Sequence, residues 1–160
     1  MSDAAAGTYE IRWAEDKDWI PAMNMIWKTF LKFEAVDYTE EGIRNFYDFI
    51  TDEHLYKSFL QGRYQMMVAL DGARVIGAAS VRNYNHLSLL FVDEEYHHRG
   101  IGRDLMRRMC EYLKKEEGER YMSLKAAPYA VDFYRKLGFH AVHEEEAFSG
   151  IRVTPMEKFL

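Results

Sequence analysis

The sequence predicts an α/β protein with one mixed sheet covered by helices on both faces. Three observations support this fold class. Stretches with the alternation of strands and stretches with helical spacing follow each other in the order β-α-α-β-β-β-α-β-α-β-β, which gives about seven strands and about four helices. The composition, with 48% hydrophobic and 29% charged residues, is typical of a globular protein. A length of 160 residues fits one domain.

The first half of the chain has recognisable signals where its elements begin and turn. Asp16 or Asp18 can cap the first helix and Thr39 the second, because these side chains accept hydrogen bonds from a first helical turn. A break in the second helix is expected near Asp52, and Asp71-Gly72 is a strong turn signal. The expected elements are a strand at 9–13, helices through 20–30 and 39–60, and strands at 65–70 and 75–82.

The second half of the chain continues the alternation of strands and helices. Gly118 and Gly138 are expected to end two helices, because glycine commonly follows the last helical residue. The expected elements are a strand at 86–92, a helix at 102–117, a strand at 121–125, a helix at 130–137 and a final antiparallel pair at 140–144 and 152–159.

The stretch from Leu87 to Leu105 is the most informative, because an apolar strand runs through a glycine-bearing turn into a helix. Gly100 and Gly102 let the backbone approach a ligand closely, and the first N–H groups of the helix have no partner inside it. Phosphate oxygens can supply those partners. The helix dipole, Arg99 and Arg103 add positive charge at the same turn. The stretch therefore predicts a phosphate-binding site.

Two common phosphate-binding motifs are absent from this turn. A dinucleotide fingerprint needs a third glycine where Leu105 stands, and a P-loop needs Gly-Lys followed by Ser or Thr. Taken alone, the two glycines leave two interpretations open, a phosphate site and an ordinary strand-to-helix turn.

A second motif follows a short strand further along the chain. Residues 127–139 read A-P-Y-A-V-D-F-Y-R-K-L-G-F, and the earlier turn reads H-H-R-G-I-G at residues 97–102. Together they resemble the acyl-CoA signature of the GNAT superfamily of N-acetyltransferases, in which Q/R-x-x-G-x-G/A opens one helix and F-Y-x-x-x-G-F lies on a later one. The opening Y-E-I-R-W-A-E-D-K-D-W-I also resembles the family's first strand and helix, so the resemblance covers nearly the whole chain.

This resemblance implies a GNAT-like fold, with a mixed, mostly antiparallel sheet of about seven strands flanked by about four helices. It implies that residues 9–160 form a single acyl-CoA N-acyltransferase domain after a flexible start at residues 1–8. It also implies acetyl-CoA as the cosubstrate, with no metal.

For the cosubstrate, the resemblance implies that the turn binds phosphates and that the strand before it splays from the next one to hold the pantetheine arm. His97 stands where the family usually has Gln or Arg, and it can still donate to phosphate. Lys125 stands where relatives often have an Asn that contacts the pantetheine. The implied cofactor-binding residues are Leu90, Phe91, Val92, His97, His98, Arg99, Gly100, Ile101, Gly102, Arg103, Lys125 and Tyr134.

Two protons must move when an amine attacks a thioester. Tyr134 matches the family tyrosine that protonates the departing thiolate. The group that takes the proton from the amine is left open. The candidates are His86 and Ser88, with Tyr84 nearby, Glu34 or Asp37, or a chain of water molecules. Acidic and aromatic side chains are expected to bind the acceptor, because they suit a cationic amine. The candidates are Phe33, Glu34, Asp37, Tyr38, Tyr84, Glu144, Glu145, Glu146 and Phe148.

The functional prediction is transfer of an acetyl group from acetyl-CoA to a primary amine by direct attack in a ternary complex. A small cationic amine is the leading acceptor, and a protein N-terminus or lysine is the runner-up. A non-catalytic acyl-CoA-binding sensor is the rival from another class. A purely structural domain would have no affinity for CoA.

Composition excludes several other classes. A net charge of −5 with scattered basic residues argues against nucleic acid as a partner. No apolar run approaches the ~20 residues that cross a bilayer, and the start resembles no secretory signal, so we expect a cytoplasmic protein. Cys110 stands alone and the histidines lack metal-ligand spacing, so neither an intramolecular disulfide nor a metal site is expected. The sequence does not decide between a monomer and a homodimer.

Overall fold

One sheet dominates the computed structural model, which describes residues 8–148 and 150–160. Its strands are β1 (Glu10–Trp13), β2 (Gln65–Asp71), β3 (Arg74–Arg82), β4 (His86–Val92), β5 (Tyr121–Ala126), β6 (His140–Ala141), β7 (Glu146–Phe148) and β8 (Ile151–Phe159). They lie in the order β1-β2-β3-β4-β5-β8-β6, with β7 also paired to β8. Among the described strands, β4 and β5 pair in parallel and the other pairs are antiparallel. The predicted fold class is confirmed. The flexible start expected at residues 1–8 lies outside the described residues except for Thr8.

Helices cover both faces of this sheet. They are α1 (Trp19–Phe33), α2 (Glu40–Ile50), α3 (Glu53–Leu60), α4 (Ile101–Lys115) and α5 (Val131–Lys136). The predicted second helix is divided at Asp52, as expected, because the Asp52 carboxylate accepts a hydrogen bond from the His54 N–H and starts α3. Thr39 caps α2 in the same way, with its Oγ1 3.0 Å from the Gly42 nitrogen.

Asp18 does not cap the first helix with its side chain. Its carboxylate accepts a hydrogen bond from the Glu15 N–H at 2.7 Å and lies 2.7 Å from the Arg12 guanidinium. The buried carboxylate is therefore satisfied by groups that precede it in the chain. The Asp16 carboxylate has a different partner from the helix as well, since it accepts a hydrogen bond from the Tyr56 hydroxyl.

The core consists of two clusters, one on each face of the sheet. On one face, Ile26 and Phe30 of α1 pack with buried residues of β2, β3 and β4. On the other face, Leu105 and Met109 of α4 pack with Met122 of β5 and its neighbours. These two helical layers hold β3 and β4 at the centre of the molecule.

The final strand pair differs from the prediction. A strand was expected at 140–144, but β6 covers only His140–Ala141, and the extra strand β7 pairs with the beginning of β8. Pro155 explains the early end of β6. The Val142 N–H still donates to the Pro155 carbonyl at 3.0 Å, but proline has no N–H to return the second bond of the pair.

The central strands open a gap in the sheet. Ser80 of β3 pairs with Leu89 and Val81 pairs with Leu87, so Ser88 is an extra residue that forms a bulge in β4. Beside this bulge, β4 pairs with β5 through the single match of His86 with Ser123. Beyond that match the two strands diverge, as the resemblance implied.

Candidate active site

A cleft of about 980 Å³ opens where β4 and β5 diverge. Its described lining comes from β4, the turn before α4, α5, the loop between α1 and α2, and the β7–β8 hairpin. This volume is large enough for an organic ligand of substantial size. The divergence of two neighbouring strands therefore creates the candidate site.

The turn between β4 and α4 has the geometry of an anion-binding site. Gly100 precedes α4 in the left-handed conformation with φ of 80°, and His98 is also left-handed with φ of 62°. The first N–H groups of a helix have no carbonyl partner within it, so they can bind an anion at this end. The residues of this turn that line the cleft are His98, Gly100, Ile101, Gly102 and Arg103.

The side chains around the turn take different positions. Arg103 lines the cleft, whereas the Arg99 guanidinium lies 5.1 Å from the centroid of the Tyr96 ring. His97 lines the cleft too, but its Nε2 is 2.7 Å from the Val92 carbonyl oxygen and holds the ring against the end of β4. The turn backbone and Arg103 are thus better placed for a phosphate than His97 or Arg99.

Tyr134 lies on α5, where it is buried and also lines the cleft. Its ring packs edge-on against Phe133 and Phe139. Burial raises the pKa of Tyr134 above its ordinary value, and the nearby Glu34 and Tyr129 raise it further. Tyr134 therefore keeps its hydroxyl proton at neutral pH and can donate it.

Glu34 follows α1 and is the one acidic residue among the described residues that line the cleft. Burial raises the pKa of Glu34 to about 7, and the negative charge of Asp37 contributes. Tyr38 and Tyr129 also line this part of the cleft. A carboxyl group with a pKa near 7 can accept a proton at neutral pH.

His86 lines the cleft at the point where β4 and β5 separate. Its Nδ1 is 2.9 Å from the Ser123 hydroxyl oxygen. Burial lowers the pKa of His86 to about 4, and the positive charges of Arg82 and Lys125 contribute. His86 is therefore uncharged at neutral pH and a weaker base than Glu34.

Several residues expected at the acceptor site do not line the cleft. Tyr84 is 81% exposed in the turn between β3 and β4, because the left-handed conformation at this residue belongs to the turn rather than to either strand. Asp37 is not part of the described lining, but its negative charge helps to raise the pKa values of Glu34 and Tyr38, which are. The three glutamates 144–146 also lie outside it, with Glu145 paired to Arg152.

Lys125 lines the cleft, but its Nζ lies 3.3 Å from the centroid of the Phe148 ring. It thus contacts the β7–β8 hairpin. Among the lining residues that were not predicted from the sequence are Arg82, Tyr129 and Lys136. Tyr129 and Lys136 lie within the second motif, which was the available signal for them.

Two loops meet across one end of the cleft, and we call this contact the loop clasp. The Thr39 N–H donates to the Gly150 carbonyl at 3.0 Å, and Tyr38 forms a bridge with Ile151. A Cβ atom on Gly42 would lie 2.4 Å from the Gly150 oxygen, so glycine is required for this approach. The loop clasp joins the α1–α2 loop to the β7–β8 hairpin beside Tyr38, Gly42 and Ile151, which line the cleft.

Among residues 8–148 and 150–160, no three His, Cys, Asp or Glu side chains lie where they could share a metal ion. Among the same residues, no helix is long and apolar enough to span a bilayer.

Comparison with solved structures places the fold among N-acetyltransferases. A GCN5-related N-acetyltransferase from Rhodopseudomonas palustris is 24% identical, with a TM-score of 0.81 over 96% of this chain and 97% of that one. The PaiA N-acetyltransferase from Thermoplasma acidophilum, solved with coenzyme A, is 21% identical, with a TM-score of 0.80 over 95% and 99%. A spermidine N-acetyltransferase SpeG chimera from Vibrio cholerae and hSSAT is 20% identical, with a TM-score of 0.70 over 96% of each chain.

Sequence comparison gives the family. No curated protein matches this chain. The family model that describes an acetyltransferase (GNAT) domain matches residues 34–160, a range that includes both the glycine turn before α4 and the motif around Tyr134. The chain therefore belongs to the GNAT family of acetyltransferases.

Proposed function

We propose that this protein transfers an acetyl group from acetyl-CoA to the primary amine of a small acceptor by direct attack in a ternary complex. One observation carries the proposal. A single cleft contains a helix N-terminus suited to phosphate and, on its other walls, a buried tyrosine close to a carboxyl group with a pKa near 7.

The cosubstrate fits the cleft from the turn inward. Its phosphates would bind the N–H groups at the start of α4 and the Arg103 guanidinium. The pantetheine arm would lie along Leu90, Phe91 and Val92, where β4 has parted from β5. The family match and the neighbour solved with coenzyme A support this placement.

Direct attack is favoured because the cleft offers no activated nucleophile among its described residues. Cys110 is not part of the described lining, and burial raises the pKa of its thiol, which disfavours the reactive thiolate. Ser88 lines the cleft, but the Tyr64 hydroxyl donates to its Oγ at 2.9 Å and no base is paired with it.

Proton transfer is assigned to Tyr134 and Glu34. An alkyl ammonium with a pKa near 10.4 must lose its proton, which costs about 4.6 kcal/mol at pH 7. Glu34 can take this proton as a carboxylate, whereas burial and the positive charges of Arg82 and Lys125 lower the pKa of His86 to about 4. Tyr134 donates its proton to the departing sulfur.

A small acceptor is favoured over a protein because the loop clasp links the two loops beside Tyr38 and Gly42, which line the cleft. An extended peptide would need an open groove there. The remaining predictions are a single domain over residues 9–160, a cytoplasmic location, and a monomer or homodimer.

Release of CoA thiol in the presence of acetyl-CoA tests the proposal with small primary amines and with peptides that carry a free N-terminus or lysine. Turnover with small amines and little with peptides is expected. Faster turnover with peptides would indicate that the acceptor is a protein rather than a small amine. Affinity for acetyl-CoA without thiol release on any amine would instead support the sensor.

A further inference from the structure

The charges that line the cleft are mostly positive. The described lining carries Arg82, Arg103, Lys125 and Lys136 against the single carboxyl group of Glu34. Arg103 belongs to the phosphate-binding turn, which follows the end of β4. Arg82 lies opposite His86 at the beginning of β4, so β4 separates it from that turn by about 20 Å, the length of a seven-residue strand.

Arg82 and Lys125 converge on one region. Arg82 is the last residue of β3 and pairs with His86, while Lys125 lies two residues beyond Ser123, the partner of His86 in β5. Burial lowers the pKa of His86, and the positive charges of Arg82 and Lys125 both contribute, in agreement with this placement. The region is therefore a shared cationic corner of the cleft.

Neither cation has an anionic partner within the described residues. The Arg82 guanidinium lies 6.0 Å from the centroid of the Phe49 ring, and Lys125 Nζ lies 3.3 Å from that of Phe148. No ion pair is formed by either one in this part of the chain. Aromatic rings can orient a cation but leave its charge unneutralised.

We propose that the acceptor amine carries an anionic group, foremost a carboxylate, which binds Arg82 and Lys125 while its amino group faces Glu34. This inference rests on the proposed function and narrows the acceptor from any small amine to an amino acid or a similar zwitterion. It revises the sequence-based preference for a purely cationic amine.

A polyamine would fit these charges poorly. Its second ammonium would meet Arg82 and Lys125, and like charges repel in a partly enclosed site. The acidic hairpin that favoured a cationic acceptor does not line the cleft, and Glu145 is already paired with Arg152. The described carboxyl group that remains for the acceptor is Glu34.

Matched acceptors test this charge preference directly. The ω-amino carboxylates from glycine to 6-aminohexanoate are compared with their own primary amides, with 3-aminopropylphosphonate and with spermidine, by thiol release at saturating acetyl-CoA. At the best chain length, the carboxylate should exceed its amide at least tenfold in kcat/KM. A larger rate with the phosphonate would support an anionic acceptor whose anionic group is a phosphonate or phosphate rather than a carboxylate.

Variants locate the group that binds the anion. Arg82→Gln and Lys125→Gln should each raise the KM for the carboxylate about tenfold, as loss of one charge-assisted hydrogen bond predicts, and leave the KM for the matching amide unchanged. The controls are Arg63→Gln and Lys114→Gln, which remove exposed cations outside the described lining.

Three results would overturn the inference. Preference for amides or spermidine would refute the anionic acceptor and leave the acetyltransferase in place. Equal losses with carboxylate and amide in the two variants would reduce Arg82 and Lys125 to structural residues. Absence of transfer to every amine, with acetyl-CoA still bound, would refute the proposed function and this inference with it.

Discussion

Tyr134 combines burial with access to the cleft, and this combination makes its role measurable. We expect Tyr134→Phe to lower kcat about 10²-fold, because a positioned acid is lost while the ring and its packing remain. Steady-state kinetics and thermal unfolding give the readouts. The KM for acetyl-CoA and the melting temperature should stay close to the parent values, and unchanged turnover would remove the assignment.

Glu34 predicts a specific pH dependence. Burial and the negative charge of Asp37 raise the pKa of Glu34 to about 7, so the carboxylate is the minor form below that pH. The charge of Glu34 in turn raises the pKa values of three tyrosines, Tyr38, Tyr129 and Tyr134. The base must be ionised, so kcat/KM for the amine should fall about tenfold for each unit below pH 7, beyond the titration of the amine itself.

The matching variant is Glu34→Gln. It should abolish this additional step near pH 7 and lower kcat/KM about 10²-fold at pH 8. Glu41→Gln, at an exposed position of α2 outside the described lining, is the control. Persistence of the step in Glu34→Gln would assign it to another group, and His86→Ala would then be the next variant.

The same pKa affects stability with a defined sign. The folded protein holds the Glu34 proton more tightly than the unfolded chain, whose pKa is near the ordinary 4.5. The stabilisation that the protonated Glu34 contributes is therefore fully present below a pH of about 4.5 and is lost as the pH rises through about 7. Glu34→Gln should melt at a higher temperature relative to the parent at pH 8 than at pH 4, and calorimetry at both pH values checks this.

The two motifs predict which of their residues belong to the candidate site, whereas a charged residue at the end of a strand has no comparable sequence signal. The motifs located Tyr134 and Arg103 because their spacing is local. Arg82 lies at the end of a strand and has no sequence signal that separates it from a solvent-exposed arginine. Tyr84 is close to His86 in sequence and was therefore expected at the acceptor site, but the left-handed turn between β3 and β4 places it outside the cleft.

At the scale of elements, the α4 N-terminus depends on the conformation of Gly100. A Cβ at φ of 80° is strained, so Gly100→Ala should distort the turn that holds the first N–H groups of the helix. We expect the KM for acetyl-CoA to rise about tenfold, as loss of about 1.4 kcal/mol of binding would require.

Gly118→Ala is the control for this variant. Gly118 follows the other end of the same helix with φ of 69°, and nothing lies within 4 Å of its added Cβ. Both variants should lose similar stability, and only Gly100→Ala should weaken acetyl-CoA binding. Equal KM values for acetyl-CoA in the two variants would show that the turn at Gly100 does not bind the cosubstrate.

Element boundaries were predictable where a local signal sets them. The caps at Thr39 and Asp52 have such signals, and both helices begin there. The end of β6 depends on Pro155, which lies on a different strand, so no local pattern could place it. The bulge at Ser88 likewise arises from pairing with β3, which periodicity alone does not report.

For the whole molecule, binding of acetyl-CoA should raise thermal stability. At 100 times its Kd, a ligand that binds only the folded state adds about 2.7 kcal/mol, or several degrees in Tm. Differential scanning fluorimetry with and without acetyl-CoA measures this shift. No shift at millimolar acetyl-CoA would support a purely structural domain.

The loop clasp also has a consequence for folding order. Thr39 and Gly150 are 111 residues apart in the chain, whereas the glycine turn before α4 joins the adjoining β4 and α4. Contacts between distant residues carry a larger loop-closure entropy and form later than local ones. The glycine turn can therefore form early, while the part of the cleft beside the loop clasp is completed only when the regions around Thr39 and Gly150 have both folded.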